Sequence, residues 1–261
     1  MIGTVIVVPC YNEAARLDTE RFAGFAAGQN QAALLFVDDG RLDDTGRVLD
    51  SLAARLPDRI QVLRVRPNGG KANAVRAGAL QAVGGGATLV GYWDADLSTP
   101  LSEVPRFQAV LDARPAVVGV LGSRVRMLGT RIERSAARHY AGRVFATLAS
   151  AVLRLAVYDT QCGAKLFRAA PAFRAALAAP FRSRWAFDVE LLVRMDRASR
   201  SAGGPPVGDL LVELPLQEWL HVGGSKLTPT AMVQATLELL AMRGNARRDV
   251  RTDETAQLPP G

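Results

Sequence analysis

Apolar residues fall in short unbroken blocks along the first part of the chain. Thr4 to Pro9 (TVIVVP) is a β-branched run, the pattern of a strand buried on both faces. Ala32 to Val37 is a second apolar strand, Ile60 to Val65 predicts a third, and the apolar run from Ala87 to Gly91 a fourth. Between them, Ala14 to Ala27 and Ala72 to Val83 have helical composition. A third helix is predicted through Leu56, opened by the N-cap residue types Asp43, Asp44 and Thr45. Strand and helix alternate with short links, which predicts a parallel sheet with helices on both faces.

Each strand runs into a polar cluster: Pro9 to Glu13, Asp38 to Gly40, Asn68 to Lys71, and Asp94 to Asp96. In open parallel sheets ligands bind beyond the carboxyl ends of the strands. Asp94 and Asp96 are spaced i, i+2. In an extended segment they would point the same way. Two hard oxygen ligands on one side suit Mg²⁺ or Mn²⁺, with water and substrate phosphates completing the shell.

The second half is less regular. Val117 to Leu121 predicts a strand leading into Gly122-Ser123-Arg124. Arg124, Arg126, Arg131, Arg134, Arg138 and Arg143 follow, opposed only by Glu133. Ala136 to Leu155 predicts a long helix, Ala172 to Ala178 a short one, and Trp185 to about Ser199 another. Leu210 to Trp219 predicts an edge strand because Pro215 lies inside it. Gly223-Gly224-Ser225-Lys226 predicts a flexible loop, Pro229 to Arg243 a closing helix, and residues 245–261 a disordered tail.

Composition narrows the classes. The 261 residues are 49% hydrophobic and 22% charged, as in a soluble globular protein. A net charge of +7 points to an anionic partner, and nucleic acid, acidic lipid and phosphorylated substrate all qualify. Two cysteines, Cys10 and Cys162, imply neither a disulfide framework nor a zinc site and fit a reducing cytoplasm. No signal peptide is visible, and the nearest thing to a span, Val144 to Val157, is shorter than about 18 residues and contains Arg154. The loop after the first strand lacks the G-x-G-x-x-G of dinucleotide-dependent oxidoreductases.

The series VVPCYNE, FVDDG, NGGKANAVRAG, WDADLSTP, GSR, DTQCGAKLF, WAFDVELL and GGSKL resembles family 2 glycosyltransferases of the dolichyl-phosphate β-glucosyltransferase and polyprenyl-phosphate hexosyltransferase type. The resemblance spans Thr4 to Leu227. It implies an α/β GT-A fold, a Rossmann-like mixed, mainly parallel sheet flanked by helices. Residues 1–244 would form one domain, with a nucleotide-binding half over 1–100 and an acceptor half over 101–244. The implied activity is inverting, metal-dependent transfer of a hexose from a UDP-glucose or GDP-mannose type donor to polyprenyl or dolichyl phosphate. The implied partners are the nucleotide sugar, the acceptor and a membrane surface touched peripherally from the cytoplasm, with no nucleic acid.

The same resemblance implies roles for residues. Asp94 and Asp96 would hold Mg²⁺ or Mn²⁺ on the donor diphosphate, where the metal neutralises charge on the leaving group. Pro9, Tyr11 and Glu13 would frame the base and ribose, and Asp39 would hydrogen-bond one of them. Asn68, Gly69 and Lys71 lie where the backbone approaches the nucleotide, and Lys71 meets a phosphate as a point charge. Arg124 and Arg131 would receive the acceptor phosphate through guanidinium forks. Gln161 and Lys165 would orient sugar or phosphates, and Ser225 and Lys226 lie in a loop that closes over them. Trp185 reads equally as a stacking platform or a core aromatic.

Two acceptor chemistries stay open. A phosphate monoester is already anionic and needs positioning more than a base. A hydroxyl acceptor, on a small molecule, glycolipid or saccharide, needs a carboxylate base. Asp159 is the first candidate, followed by Asp188 and Glu190, which read equally as acids at a helix N-terminus. Asp96, Asp159 and Arg124 form the expected catalytic set. Departures from the family pattern are Arg41, where relatives carry Ser, together with Asn73 and Ala164.

Overall fold

The computed structural model describes residues 3–28, 32–40, 42–133, 146–147, 149–150, 157–220, 222, 234 and 237–238. Strands β1 (Thr4–Cys10), β2 (Ala32–Asp38), β3 (Ile60–Arg64) and β4 (Leu89–Trp93) alternate with helices α1 (Thr19–Ala27), α2 (Thr45–Arg55) and α3 (Gly70–Gly84). Helix α4 (Glu103–Ala113) leads to β5 (Gly119–Ser123), β6 (Arg131–Ile132) and β7 (Ala164–Arg168). Helices α5 (Pro171–Ala176) and α6 (Phe187–Ser201), a short 3-10 turn, β8 (Leu211–Pro215) and β9 (Glu218–Trp219) follow.

The main sheet has the order β3-β2-β1-β4-β7-β5-β8. The first four strands are parallel, as the alternating pattern predicts. β7 runs antiparallel to both β4 and β5, which makes the sheet mixed. β6 and β9 pair separately in a small parallel ribbon.

The β-branched runs are explained by burial on both faces. Ile6 and Val8 of β1 pack with Phe22, Phe36, Leu49 and Phe107 on one side of the sheet, against α1, α2 and α4. Val7 points to the other side and packs with Val37, Val75 and Leu191 under α3 and α6. Gly78 lets α3 approach this closely, because a Cβ there would fall 2.5 Å from Val7 Cγ1 and 2.8 Å from Val37 Cγ2.

Besides β6 and β7, which the sequence pattern does not predict, three stretches differ from expectation. α1 begins at Thr19 rather than Ala14, because the N–H groups of Arg16 and Leu17 fold back on the Glu13 carbonyl at 2.9 Å. The Asp18 carboxylate then caps α1 by accepting the Arg21 N–H. The expected edge strand ends at Pro215, which cannot continue a ladder as a donor, and Glu218–Trp219 turns away to pair with β6. α4 (Glu103–Ala113) lies in a stretch for which the sequence pattern predicts no element.

The Ser225-Lys226 loop, Arg41, Arg134, Arg138, Arg143 and the tail 245–261 lie outside the described residues. So do most of the expected helices Ala136 to Leu155 and Pro229 to Arg243, of which residues 146–147, 149–150, 234 and 237–238 are described and helical. Among the described residues no helix is long and apolar enough to cross a membrane.

Candidate active site

The carboxyl ends of β1, β2 and β4 lie side by side and gather the polar clusters. Asp39 follows β2 and is 2% exposed. Its Oδ1 accepts the Gly69 N–H at 2.9 Å, while Oδ2 has no hydrogen-bond partner. Burial raises the pKa of this carboxyl, partly offset by the N–H groups of Gly69 and Gly70. Oδ2 is thus a buried acceptor with capacity for one more donor. Asn68 Oδ1 accepts the Gly70 N–H at 3.0 Å, which ties the loop to the first turn of α3.

Pro9 and Tyr11, at the end of β1, are half-buried along the same edge. Glu13 is buried, with its carboxylate held by Arg16 at 2.6 Å and its N–H donated to Thr45 Oγ1 at 2.8 Å. It fixes the β1–α1 turn against the start of α2.

β4 ends at Trp93, so Asp94 and Asp96 sit in a turn rather than on an extended strand as expected. The Leu97 N–H donates to the Asp94 carbonyl at 3.2 Å, and Leu97 adopts φ 51°. The two carboxylates still act on each other. Burial raises the pKa of Asp96 and the Asp94 charge raises it further, against the Ser98 N–H, which donates to Asp96 Oδ1 at 2.9 Å. Lys71 Nζ lies 2.5 Å from Asp94 Oδ1, with both side chains partly open to solvent. Burial opposes the Lys71 charge, but Asp94 and Asp188 outweigh it and its pKa is raised.

Among the described residues no group of three or more His, Cys, Asp or Glu side chains gathers at one point. Two mutually repelling carboxylates nevertheless fit a hard divalent cation whose other ligands are water and phosphate oxygen.

Deeper in, Lys165 is 0% exposed. Its Nζ donates to Asp188 Oδ1 at 2.7 Å and to the Cys162 carbonyl at 2.6 Å, and the Tyr92 hydroxyl donates to the same Asp188 oxygen. Lys165 was expected among the acceptor contacts. It has no surface for one, because its charge is needed beneath the sheet to neutralise Asp188. Asp188, 5% exposed, receives both of these donors, Lys165 Nζ and the Tyr92 hydroxyl, on its Oδ1. Glu190 accepts the N–H groups of Arg182 and Ser183 and pairs with Arg194 at 2.6 Å, so it braces the loop before α6. Gln161 is half-buried, and its Nε2 has no hydrogen-bond partner.

Arg124 follows β5 and grips Asp159 through two bonds, Nε to Oδ2 at 2.6 Å and Nη2 to Oδ1 at 2.8 Å. The pair is largely buried, with Arg124 also lying over the Trp219 ring at 5.5 Å. Burial opposes the guanidinium charge, but Asp159 outweighs it and the pKa is raised. From β8, Glu213 accepts the N–H groups of Tyr158 and Asp159 at 2.8 and 2.6 Å and holds that turn in place. Arg131 is exposed on β6, near Glu133 at 3.2 Å and Glu218 at 3.5 Å.

The Glycosyl transferase family 2 model matches residues 5–172. The chain belongs to glycosyl transferase family 2. A dolichyl-phosphate β-glucosyltransferase of Trichomonas vaginalis is 29% identical, over 92% of this chain and 70% of its own. The dolichyl-phosphate β-glucosyltransferase of Mus musculus is 30% identical, over 91% of this chain and 74% of its own. A crystal structure of glucosyl-3-phosphoglycerate synthase from Mycobacterium tuberculosis, in complex with Mn²⁺, uridine diphosphate and glucosyl-3-phosphoglycerate, superposes with a TM-score of 0.66. That likeness covers 92% of this chain and 79% of the other at 17% identity, and it establishes the GT-A fold. The protein is a glycosyltransferase.

Two residues of this transferase site went unread in its sequence. Gly163 carries the DTQCGAKLF motif past Asp94: its carbonyl accepts the Asp94 N–H at 3.1 Å. Arg184, in the loop before α6, lays its side chain over Gly70, where a Cβ would lie 3.4 Å from its Nε. Its charge also reaches Asp39. The only signal was its place beside the WAFDVELL motif. Its approach to the β2 end is a tertiary contact that spacing does not report.

Proposed function

We propose that this glycosyltransferase moves a hexose from a nucleotide-diphosphate sugar of the UDP-glucose or GDP-mannose type to a polyprenyl or dolichyl phosphate, with inversion at the anomeric carbon. The observation that carries the reading is the Asp94–Asp96 carboxylate pair beside Lys71 at the carboxyl ends of the parallel strands. Asp94 and Asp96 hold Mg²⁺ or Mn²⁺, and the bound metal supplies Lewis-acid stabilisation of the departing diphosphate. The Mn²⁺ and uridine diphosphate in the M. tuberculosis neighbour support this assignment.

The chain's own groups do the rest. The open oxygen of Asp39 accepts a donor from the base or ribose, beside Pro9, Tyr11 and Asn68. Glu13 keeps that edge rigid through Arg16. Lys71 exchanges Asp94 for a donor phosphate. Arg124 takes the acceptor phosphate, with Arg131 further out and Gln161 offering its unmatched amide to the sugar. Ser225 and Lys226 belong to the same site in this reading. The names of the dolichyl-phosphate β-glucosyltransferase relatives support a lipid phosphate.

One contact weighs against the alternative of a hydroxyl acceptor. Both oxygens of Asp159 accept from Arg124, so neither is poised to take a hydroxyl proton. A phosphate needs no such base. The enzyme then works at the cytoplasmic face of a membrane as a peripheral protein.

A thermal-shift screen of UDP- and GDP-sugars with Mn²⁺ or Mg²⁺ tests the donor, since a specific ligand raises the melting temperature. Transfer to polyprenyl phosphate, compared with soluble extract, tests the acceptor. The expected product is an EDTA-sensitive lipid-linked sugar of inverted configuration. Undiminished transfer in EDTA, or by Asp96→Asn, would sink the reading.

A further inference from the structure

The loop from β5 to β6 begins at Arg124 and returns at Arg131. Its tip is built rather than loose. The Met127 N–H donates to Thr130 Oγ1 at 2.9 Å, and the Thr130 hydroxyl and N–H both donate to the Met127 carbonyl, at 2.8 and 3.2 Å. Gly129 closes the turn at φ +85°, a conformation glycine adopts without strain. This ordered turn holds apolar side chains out into solvent. Leu128 is 104% exposed and Met127 47%. They are the only adjacent pair among the exposed large hydrophobics of the described residues. Fixing a turn costs conformational entropy, and spending it to display leucine to water is unfavourable unless something receives the side chain.

The charge beside the tip says what receives it. Arg126 is exposed, and among the described residues no carboxylate pairs with it. The sequence continues past Glu133 with Arg134, Arg138 and Arg143, in a chain of net charge +7. An apolar point next to unneutralised arginine matches an anionic bilayer surface, where aliphatic groups enter the acyl boundary and guanidinium meets headgroup phosphate.

We propose that Met127 and Leu128 are a membrane-inserting tip, with Arg126 its headgroup contact. This rests on the reading that the acceptor is a lipid phosphate. The root of the loop is Arg124, the residue assigned to that phosphate. Leu128 is four residue steps from Arg124, at most about 14 Å of chain. Interfacial segments sink roughly 5–10 Å into the headgroup and acyl boundary. Seating Leu128 there leaves Arg124 near headgroup level. The acceptor phosphate then reaches the site without its polyprenyl chain leaving the bilayer.

Vesicle binding tests the tip without donor or acceptor, so its result stands apart from that of the transferase assay. Wild-type protein is expected to sediment with phosphatidylglycerol/phosphatidylcholine vesicles and to release in high salt. Leu128→Glu should weaken that partitioning by at least about tenfold, the scale of one buried leucine side chain. Arg126→Gln should reduce its salt dependence. Uridine diphosphate binding with Mn²⁺, measured on the same samples, should not change, which separates a lost tip from a lost fold. Leu128→Trp should show a blue-shifted emission on adding anionic vesicles. Three outcomes overturn the proposal: no sedimentation of the wild type, Leu128→Glu binding vesicles like the wild type, or Leu128→Trp emission unmoved by vesicles. Self-association lost in Leu128→Glu without vesicle binding would assign the tip to a second copy instead.

Discussion

Asp94 stands where residue 163 would otherwise carry a side chain. A Cβ on Gly163 would fall 1.9 Å from Asp94 Oδ2 and 2.3 Å from its Cγ. The start of β7 is thus shaped around the carboxylate that faces Lys71. Gly163→Ala should force the carboxylate out of that position while leaving the sheet intact. Displacing a positioned catalytic group by about 1 Å can cost roughly a hundredfold in rate. The expected result is a loss of that order in kcat/KM for the nucleotide sugar, with a melting temperature near that of the wild type. Metal-dependent activity equal to the wild type would show that Asp94 does not need this position.

Asp39 predicts a pH dependence with opposite signs for stability and for binding. Its folded pKa is raised, chiefly by burial, so the folded protein holds this proton at pH values where the unfolded chain has lost it. Its contribution to stability therefore falls as pH rises from the ordinary aspartate value through the raised one. Asp39→Asn should flatten that slope and stabilise the ligand-free protein at neutral pH. If the nucleotide donates to the ionised Asp39 carboxylate, as proposed, affinity should weaken as pH falls through the same raised value. Calorimetry and thermal melts from about pH 4 to 8, run on both proteins, check both signs.

The parallel half of the sheet is legible because β1, β2 and β4 are buried on both faces and read as apolar runs, while β3, at the sheet edge, still carries enough apolar residues to read as a strand. Its ligand edge is legible because each run ends in polar residues. The antiparallel strand β7 is not, since Ala164–Arg168 carries Lys165 and Arg168 and resembles no apolar run. Lys165 explains why. It is buried only because Asp188, on another element, lies 2.7 Å away, and no local pattern announces that partner. The same holds for Arg124 and Asp159. Both residue types were singled out for chemistry, but their mutual grip is set by the sheet order, which brings the ends of β5 and the Asp159 turn together.

Arg184 gives a prediction about the nucleotide. Its side chain lies along Gly70, and its charge acts on Asp39, so it borders the site assigned to the donor. Arg184→Ala should weaken nucleoside diphosphate binding by about tenfold, the scale of a single charge-assisted hydrogen bond. Arg184→Lys should restore part of it. The KM for the acceptor should stay unchanged. Equal weakening for donor and acceptor in steady-state kinetics would assign Arg184 to the loop's structure instead.

The Arg124–Asp159 pair separates the two acceptor chemistries. Both side chains are largely buried, so removing one partner leaves the other charge uncompensated. Arg124→Gln alone should cost about 3–5 kcal/mol of folding stability. Arg124→Gln with Asp159→Asn should recover a substantial part, since the two sites are in direct contact and couple. Kinetics then divide the roles. If an acceptor phosphate competes with Asp159 for the Arg124 fork, Asp159→Asn lowers the acceptor KM and keeps kcat within about tenfold of the wild type. If Asp159 is instead the base for a hydroxyl, the same substitution removes about two to four decades of kcat without tightening the acceptor. Steady-state kinetics with polyprenyl phosphate, with urea melts on the single and double variants, measure both arms on one set of proteins.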